Sequence, residues 1–164
     1  MPEVFFIADT HFGHKGIINF ESTKPFRPFD TIEEHNEEII RRWNAKVTKN
    51  DNVWHLGDFC FGKHNLEIAA RLNGTKRLVM GNHDQYAGAD YLRYFTRICG
   101  ASEFDGCILT HIPVHPSQFE RYRANIHGHL HTNRLDDSRY INVSCEQISL
   151  TPISYSEIKN SPRN

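Results

Sequence analysis

No stretch of this 164-residue chain approaches the roughly 18 consecutive apolar residues that a membrane helix needs, which excludes a membrane-spanning helix. An excess of either charge is missing too. Nineteen Lys and Arg stand against 20 Asp and Glu, a net −1, so no global positive field would hold a long nucleic acid by electrostatics alone. There is no C-x-x-C pair: Cys60, Cys99, Cys107 and Cys145 lie far apart, which argues against a zinc ribbon and against a dense disulfide framework. They read as reduced, mostly buried thiols. The chain runs from Met1-Pro2-Glu3 straight into Val4-Phe5-Phe6-Ile7-Ala8, without the basic stretch and small-residue cleavage site of a secretory signal. The expectation is a cytoplasmic protein. Repeats and low-complexity segments are absent, 38% hydrophobic with 24% charged residues excludes a disordered chain, and the length fits one domain over 1–164. What the chain does have in excess is histidine. Eleven of them raise the question of metal binding, because imidazole is a common ligand and titrates near neutral pH.

Local patterns alternate strands with helices. Glu3–Ala8 reads as a buried strand, and residues 12–29 as a loop with one short turn, punctuated by Pro25 and Pro28. A helix follows, with Thr31 and Glu34 as a capping-box pair and Ile32, Ile39, Ile40 and Trp43 as its apolar face. Asn52–Leu56 and Lys76–Met80 are the next strands, separated by a short helix over Asn65–Leu72 with Gly74 as its stop. A weak helix is expected at Ala89–Phe95, and a hairpin pairs Glu103–Phe104 with Cys107–Thr110 through Asp105-Gly106. Ala124–His127 and Tyr140–Ser144 are further strands, and Tyr155–Lys159 is a terminal helix. This order predicts an α/β fold with parallel strands, right-handed crossovers and some antiparallel pairing late in the chain.

Polar and ionisable residues collect just past the carboxyl ends of these strands, where open α/β sheets bind ligands. Asp9 and His11 follow the first strand, Asp58 the second, and Asn82-His83-Asp84 the third. His111 follows the hairpin, and His129 and His131 follow Gly128. In an extended segment residues i and i+2 share a side, so Asp9 with His11, and His129 with His131, are each expected to face one centre. Gly57, Gly81 and Gly128 each precede a candidate ligand, where a missing side chain permits tight turns and close backbone approach. Two carboxylates, one amide and four imidazoles without a thiolate suit Mn, Fe, Zn, Co or Ni. Seven ligands exceed one tetrahedral ion but fit two if a carboxylate bridges. A pair of ions can clamp the attacking and leaving oxygens of an in-line phosphoryl displacement.

Asp9-x-His11, Gly57-Asp58, Gly81-Asn82-His83-Asp84, His111 and Gly128-His129-x-His131 resemble, in order, the five signature blocks of the calcineurin-like metallophosphoesterases. Asp9-Thr10-His11-Phe12-Gly13-His14, Arg27-Pro28-Phe29 and His55-Leu56-Gly57-Asp58 are similar to a small bacterial and phage branch of that family. The resemblance implies two packed mixed β-sheets flanked by helices, a four-layer α/β/β/α sandwich. It implies two divalent ions, manganese first among them. Asp9, His11 and His131 would bind one, Asn82, His111 and His129 the other, and Asp58 would bridge them. A hydroxide between the ions would attack phosphorus, His83 would contact the phosphate and protonate the leaving oxygen, and Asp84 would orient the His83 ring. The implied substrate is a small phosphate ester, a phosphodiester such as a nucleotide or cyclic nucleotide before a monoester. The near-neutral charge counts against strong nucleic-acid binding, and the sequence is silent on oligomeric state. The rival from another class is a non-catalytic metal-binding interaction scaffold on the same fold.

Other residues carry open readings. His14, three past His11, and His115, four past His111, are candidate substrate contacts or surface histidines. Arg27, Arg121 and Arg123 are candidate phosphate clamps or solvated loop charge. Phe12, Phe26, Phe29 and Phe61 either stack on a base at the rim or fill the core. His127 reads as a hydrogen-bonded structural histidine, and His35, His55 and His64 as structural or exposed. Cysteine-phosphatase chemistry fails, since the positions six past each Cys hold Leu66, Asp105, Pro113 and Thr151 rather than Arg. Neither G-x-S-x-G nor a Walker A run occurs.

Overall fold

The computed structural model describes residues 1–161. Along them lie β1 (Val4–Ile7), α1 (Ile32–Lys46), β2 (Asn52–His55), β3 (Thr75–Val79), α2 (Gly88–Tyr91), β4 (Arg97–Cys99), β5 (Ser102–Phe104), β6 (Cys107–Leu109), β7 (Ala124–His127), β8 (Tyr140–Asn142), β9 (Ile153–Ser154) and α3 (Tyr155–Asn160). They form two mixed sheets flanked by helices. The first has the order β4-β3-β2-β1-β9, parallel except for β9, and the second has the order β5-β6-β7-β8, parallel except for the β5–β6 hairpin. Asp105 (φ 46°) and Gly106 (φ 71°) turn that hairpin, the left-handed pair its two-residue loop requires.

Alternation along β1 assigns the layers. Phe5 and Ile7 point to a core shared with Ile39, Ile40 and Trp43 of α1, while Phe6 and Ala8 point to a second core shared with Leu109, Ala124 and Ile126 of the other sheet. A strand buried on both faces has no polar face, which is why β1 reads as a continuous apolar run. The capping box of α1 is present: Glu34 N–H donates to Thr31 Oγ1 and Thr31 N–H to Glu34 Oε2, each at 3.2 Å. Over the outer face of the second sheet lies the 112–123 segment, with a 3₁₀ turn at Pro116–Glu120, tied down by Val114 N–H on Asn125 Oδ1 and Tyr140 O–H on the Val114 carbonyl.

Several elements differ from the sequence expectation. The helix expected at Asn65–Leu72 is a run of 3₁₀ turns over Lys63–Arg71; no side chain caps its first turn, and Asn65 spends its amide on the Phe61 carbonyl. The loop over 12–29 holds two 3₁₀ turns, Lys15–Ile18 and Lys24–Phe26, rather than the one short turn expected. Strands β4 and β9, three and two residues long, are too short to leave a periodic signal and are defined by pairing with β3 and β1. No helix among the described residues is long and apolar enough to cross a membrane, and all four cysteines are free.

Candidate metal centre

The loops after β1, β2, β3, β6 and β7 meet at one end of the sandwich. Asp9 N–H donates to the Gly57 carbonyl, His11 N–H to the Asp58 carbonyl, and Gly128 N–H to the His111 carbonyl. Asp9 (φ 57°), His11 (φ 48°), Asp58 (φ 57°), His129 (φ 68°) and His131 (φ 50°) all adopt left-handed backbone. Among the described residues, five of the eight non-glycine residues with that conformation are therefore sequence-predicted ligands, each at a cost of about 1 kcal/mol or more. The i, i+2 pairs do converge, but through left-handed turns rather than the pleat of an extended segment, which corrects that expectation.

Asp9, His11, Asp58 and His111 are all at most 3% exposed. Ligand-capable atoms of Asp9, His11 and His131 lie within 4.8 Å of one another, as do those of Asp9, Asp58 and His111. Asp9 Oδ1 is 3.7 Å from His11 Nε2, 3.8 Å from His131 Nε2 and 4.0 Å from His111 Nε2. Asp58 Oδ2 lies between the two groups, 3.6 Å from His11 Nε2 and 3.3 Å from His111 Nε2. On the outer side Asn82 Oδ1 is 3.1 Å from both His111 Nε2 and His129 Nδ1. All seven predicted ligands are thus brought together.

The donor set fits a divalent cation. Asp9 Oδ1 and both ring nitrogens of His11 are buried without a hydrogen-bond partner, an expensive arrangement unless something positive sits among them. The glycines make room for this crowding. A Cβ on Gly81 would stand 2.2 Å from Asp58 Oδ1, one on Gly128 2.6 Å from Asp9 Oδ2, and one on Gly57, whose φ is 97°, 2.6 Å from His111 Nδ1. The carboxylates stand close to the imidazoles, with Asp58 Oδ2 3.3 Å from His111 Nε2. Burial opposes charge on His111, but the Asp58 contact and the Asp9 and Asp58 charges overcome it and raise its pKa to about 9. Burial likewise opposes ionisation of Asp9, yet His11, His111 and His131 hold it well below the usual carboxylate range.

Around the ligands lies a shell that sequence reasoning largely missed. His111 Nδ1 is 2.7 Å from the Leu56 carbonyl, which directs Nε2 toward Asp58. Asp9 Oδ2 accepts from His129 N–H (2.9 Å) and Ser144 Oγ (2.8 Å), and His131 Nδ1 lies 3.0 Å from Glu146 Oε1. Ser144 and Glu146 follow β8 by two and four residues; their only signal in the sequence is that they are polar and follow a strand. His55 is structural as expected: its Nε2 lies 2.9 Å from Thr10 Oγ1, whose hydroxyl donates to the Phe59 carbonyl. His127, also buried, places Nδ1 2.8 Å from the Gly128 carbonyl.

Three expected roles are corrected. Asp84 does not orient His83, because its carboxylate is consumed by the N–H groups of Asp58 (2.7 Å), Gly81 (2.8 Å) and Phe59 (3.0 Å); it braces the two loops that carry Asp58 and Asn82. Arg27 is no phosphate clamp, because it is fully buried and its guanidinium is occupied by Glu146, Asp9, Thr10 and His35. His115 is exposed and spends its ring on Ser117, capping the Pro116–Glu120 turn. His83 does stand at the rim, exposed, with its backbone N–H on Asp58 Oδ1 (2.9 Å) and its ring centroid 5.9 Å from that of His11. His14 lies at the same rim, stacked on Phe61 at 4.0 Å, and burial among His11, His83 and Arg27 lowers its pKa to about 4. Among the other aromatics, Phe12 is core and Phe29 packs against it, whereas Phe26 is exposed. Arg123 pairs with Asp105.

The arrangement defines an α/β protein whose buried Asp and His side chains could hold a metal ion at the strand ends. Comparison with known proteins places it further. Uncharacterized protein MJ1445 of Methanocaldococcus jannaschii is 34% identical over 94% of this chain and 88% of its own length, and this chain belongs to its family. The Gene 66 protein of Mycobacterium phage L5 is 35% identical over 51% of this chain and 41% of its own. Among solved structures, the protein of unknown function AQ665 from Aquifex aeolicus superposes with a TM-score of 0.75 at 30% identity, over 97% of this chain and 98% of that one. No family model matches the chain.

Proposed function

We propose that this chain is a metal-dependent phosphoric ester hydrolase with a dinuclear centre, acting on a phosphodiester such as a nucleotide or cyclic nucleotide in preference to a monoester. The observation that carries the reading is the position of Asp58 Oδ2 between His11 and His111, which lets one carboxylate serve two adjoining groups of ligands. Asp9, His11 and His131 would hold one cation, Asn82, His111 and His129 the other, and Asp58 both. Bound divalent ions supply positive charge against the phosphate oxygens and a nucleophile at neutral pH. Nitrogen and oxygen donors without thiolate admit manganese first, and iron, zinc, cobalt or nickel.

The chain's own residues do the rest. His83, exposed beside the ligands and anchored through its backbone to Asp58, donates a proton to the departing ester oxygen. His14, on the Phe61 ring, is the remaining candidate for contact with the phosphate. Asn82 and His83 are exposed, so the centre opens to solvent, which suits a diester whose two substituents both need space. Near-neutral net charge argues against a processive nuclease, and the reduced thiols suit work in the cytoplasm. The test is a screen of the manganese-loaded protein against aryl phosphodiesters, aryl monoesters, mononucleotides and 2′,3′- and 3′,5′-cyclic nucleotides. Turnover abolished by EDTA and restored by Mn²⁺ is expected, fastest on a diester. Two tightly bound ions with no turnover on any ester would overturn the catalytic reading and leave the metal-binding scaffold.

A further inference from the structure

Beneath the metal centre lies an ion pair that joins residues 119 positions apart in sequence, Arg27 and Glu146, with neither side chain exposed to solvent. Arg27 Nε donates to Glu146 Oε1 at 2.8 Å, Nη2 to the Asp9 carbonyl at 2.6 Å and Nη1 to the Thr10 carbonyl at 3.2 Å. Nη1 also donates to His35 Nε2 at 2.8 Å, so this buried ring is an acceptor at that atom. Glu146 Oε1 accepts a second bond from His131 Nδ1 at 3.0 Å. One planar guanidinium thus grips the carbonyl of the left-handed Asp9 turn and, through one carboxylate oxygen, steers His131 from the far end of the chain.

Stability alone is a poor account of this pair, because desolvating both charges offsets most of their attraction. A substrate contact is excluded by burial. The geometry instead performs a positioning task. Donation of the His131 Nδ1 proton to Glu146 fixes the tautomer with the Nε2 lone pair facing Asp9 Oδ1, 3.8 Å away, and makes that nitrogen a better ligand. Anchoring the Asp9 and Thr10 carbonyls holds a backbone turn that would otherwise relax from its left-handed conformation. No comparable buried pair supports Asn82 or His129 among the described residues.

We infer that Arg27 and Glu146 are positioning residues that set the affinity of the Asp9–His11–His131 half of the centre for its cation. The inference rests on the metal-binding reading of the site. It is tested by calorimetric titration of the metal-free full chain with Mn²⁺, where the wild type should show two classes of sites. Glu146→Gln and Arg27→Lys should each weaken one class by about 10–100-fold and leave the other in place. Asn82→Ala, in contrast, should weaken the second class. Because breaking one half of a buried pair can unfold a protein, the double variant Arg27→Met/Glu146→Leu removes both charges together. Its circular dichroism and melting in EDTA report the fold separately from metal affinity, and the same class-selective loss is expected. Wild-type affinities in the folded variants, or equal weakening of both classes, would overturn the positioning role. Absence of any Mn²⁺ binding by the wild type would instead overturn the metal reading on which it depends.

Discussion

Asp9 and His131 stand on a floor of buried charge, whereas the exposed Asn82 and the half-buried His129 touch chiefly each other and His111. The two halves draw on the same small set of ligand types yet are held by different physics. On the first side Arg27 and Glu146 act where water cannot compete, so each hydrogen bond keeps its direction. On the second, Asn82 has no such floor and is placed by its loop, which Asp84 ties to the Asp58 loop through three backbone N–H groups. A half braced by buried charge beside a more accessible one suits the proposed centre, which would retain one cation while leaving space for a substrate. Asp58, almost fully buried between them, belongs to both.

The largest effect should come from removing what the halves share. Asp58→Asn should lose metal and turnover together, by at least about 10²–10³-fold, because several kcal/mol of charge stabilisation disappear from both sides at once. Metal content by mass spectrometry alongside turnover checks this, and loss confined to one ion would show that the halves are independent. His83→Ala should retain both ions and lower kcat by about 10²–10⁴-fold, the range for a lost general acid; wild-type kcat would remove His83 from the chemistry. Asp84→Ala strands three N–H donors, two of them buried, at about 1–3 kcal/mol for each buried one. Chemical denaturation in EDTA should show a loss of at least about 2 kcal/mol, where a residue that only oriented His83 would cost little.

The smallest effect is a titration. His111, raised to about 9, carries a proton at pH 7 in the metal-free protein and must lose it to ligate. Calorimetry in buffers of different ionisation enthalpy should record about one proton released from this ring at pH 7, with affinity rising up to tenfold per pH unit toward pH 9. His131, also raised because Glu146 and Asp9 outweigh its burial, adds to the release. Metal-free stability should run the other way. A raised folded pKa contributes stability that is complete below the unfolded value near 6.5 and is lost as the pH climbs through about 9. Affinity without pH dependence between 7 and 9 would place the carboxylate–imidazole contacts outside the binding equilibrium.

How much of this was legible before folding differs from residue to residue. Thr31 and Glu34 announced the start of α1 because a capping box is local chemistry, and β1 announced itself as an unbroken apolar run. The seven candidate ligands were legible because each sits just past a strand end and three follow a glycine, at positions where a Cβ would stand as little as 2.2 Å from a neighbouring carboxylate oxygen. Arg27 was misread because a charged residue in a proline-punctuated loop looks solvated; only the fold brings Glu146 to it. Asp84 was misread for a similar reason, since its three partners are backbone groups that no residue type encodes.

The sequence by itself determined most of the strand–helix order, the apolar faces and the identity of the candidate ligands, because those depend on periodicity and on chemistry carried by individual side chains. Tertiary structure alone decided which loops would meet, which ring nitrogen of each histidine faces inward, and that a buried guanidinium supports one half of the centre. Those are relations between segments separated in sequence, by 119 residues for Arg27 and Glu146, set by sheet order and desolvation rather than by any local pattern.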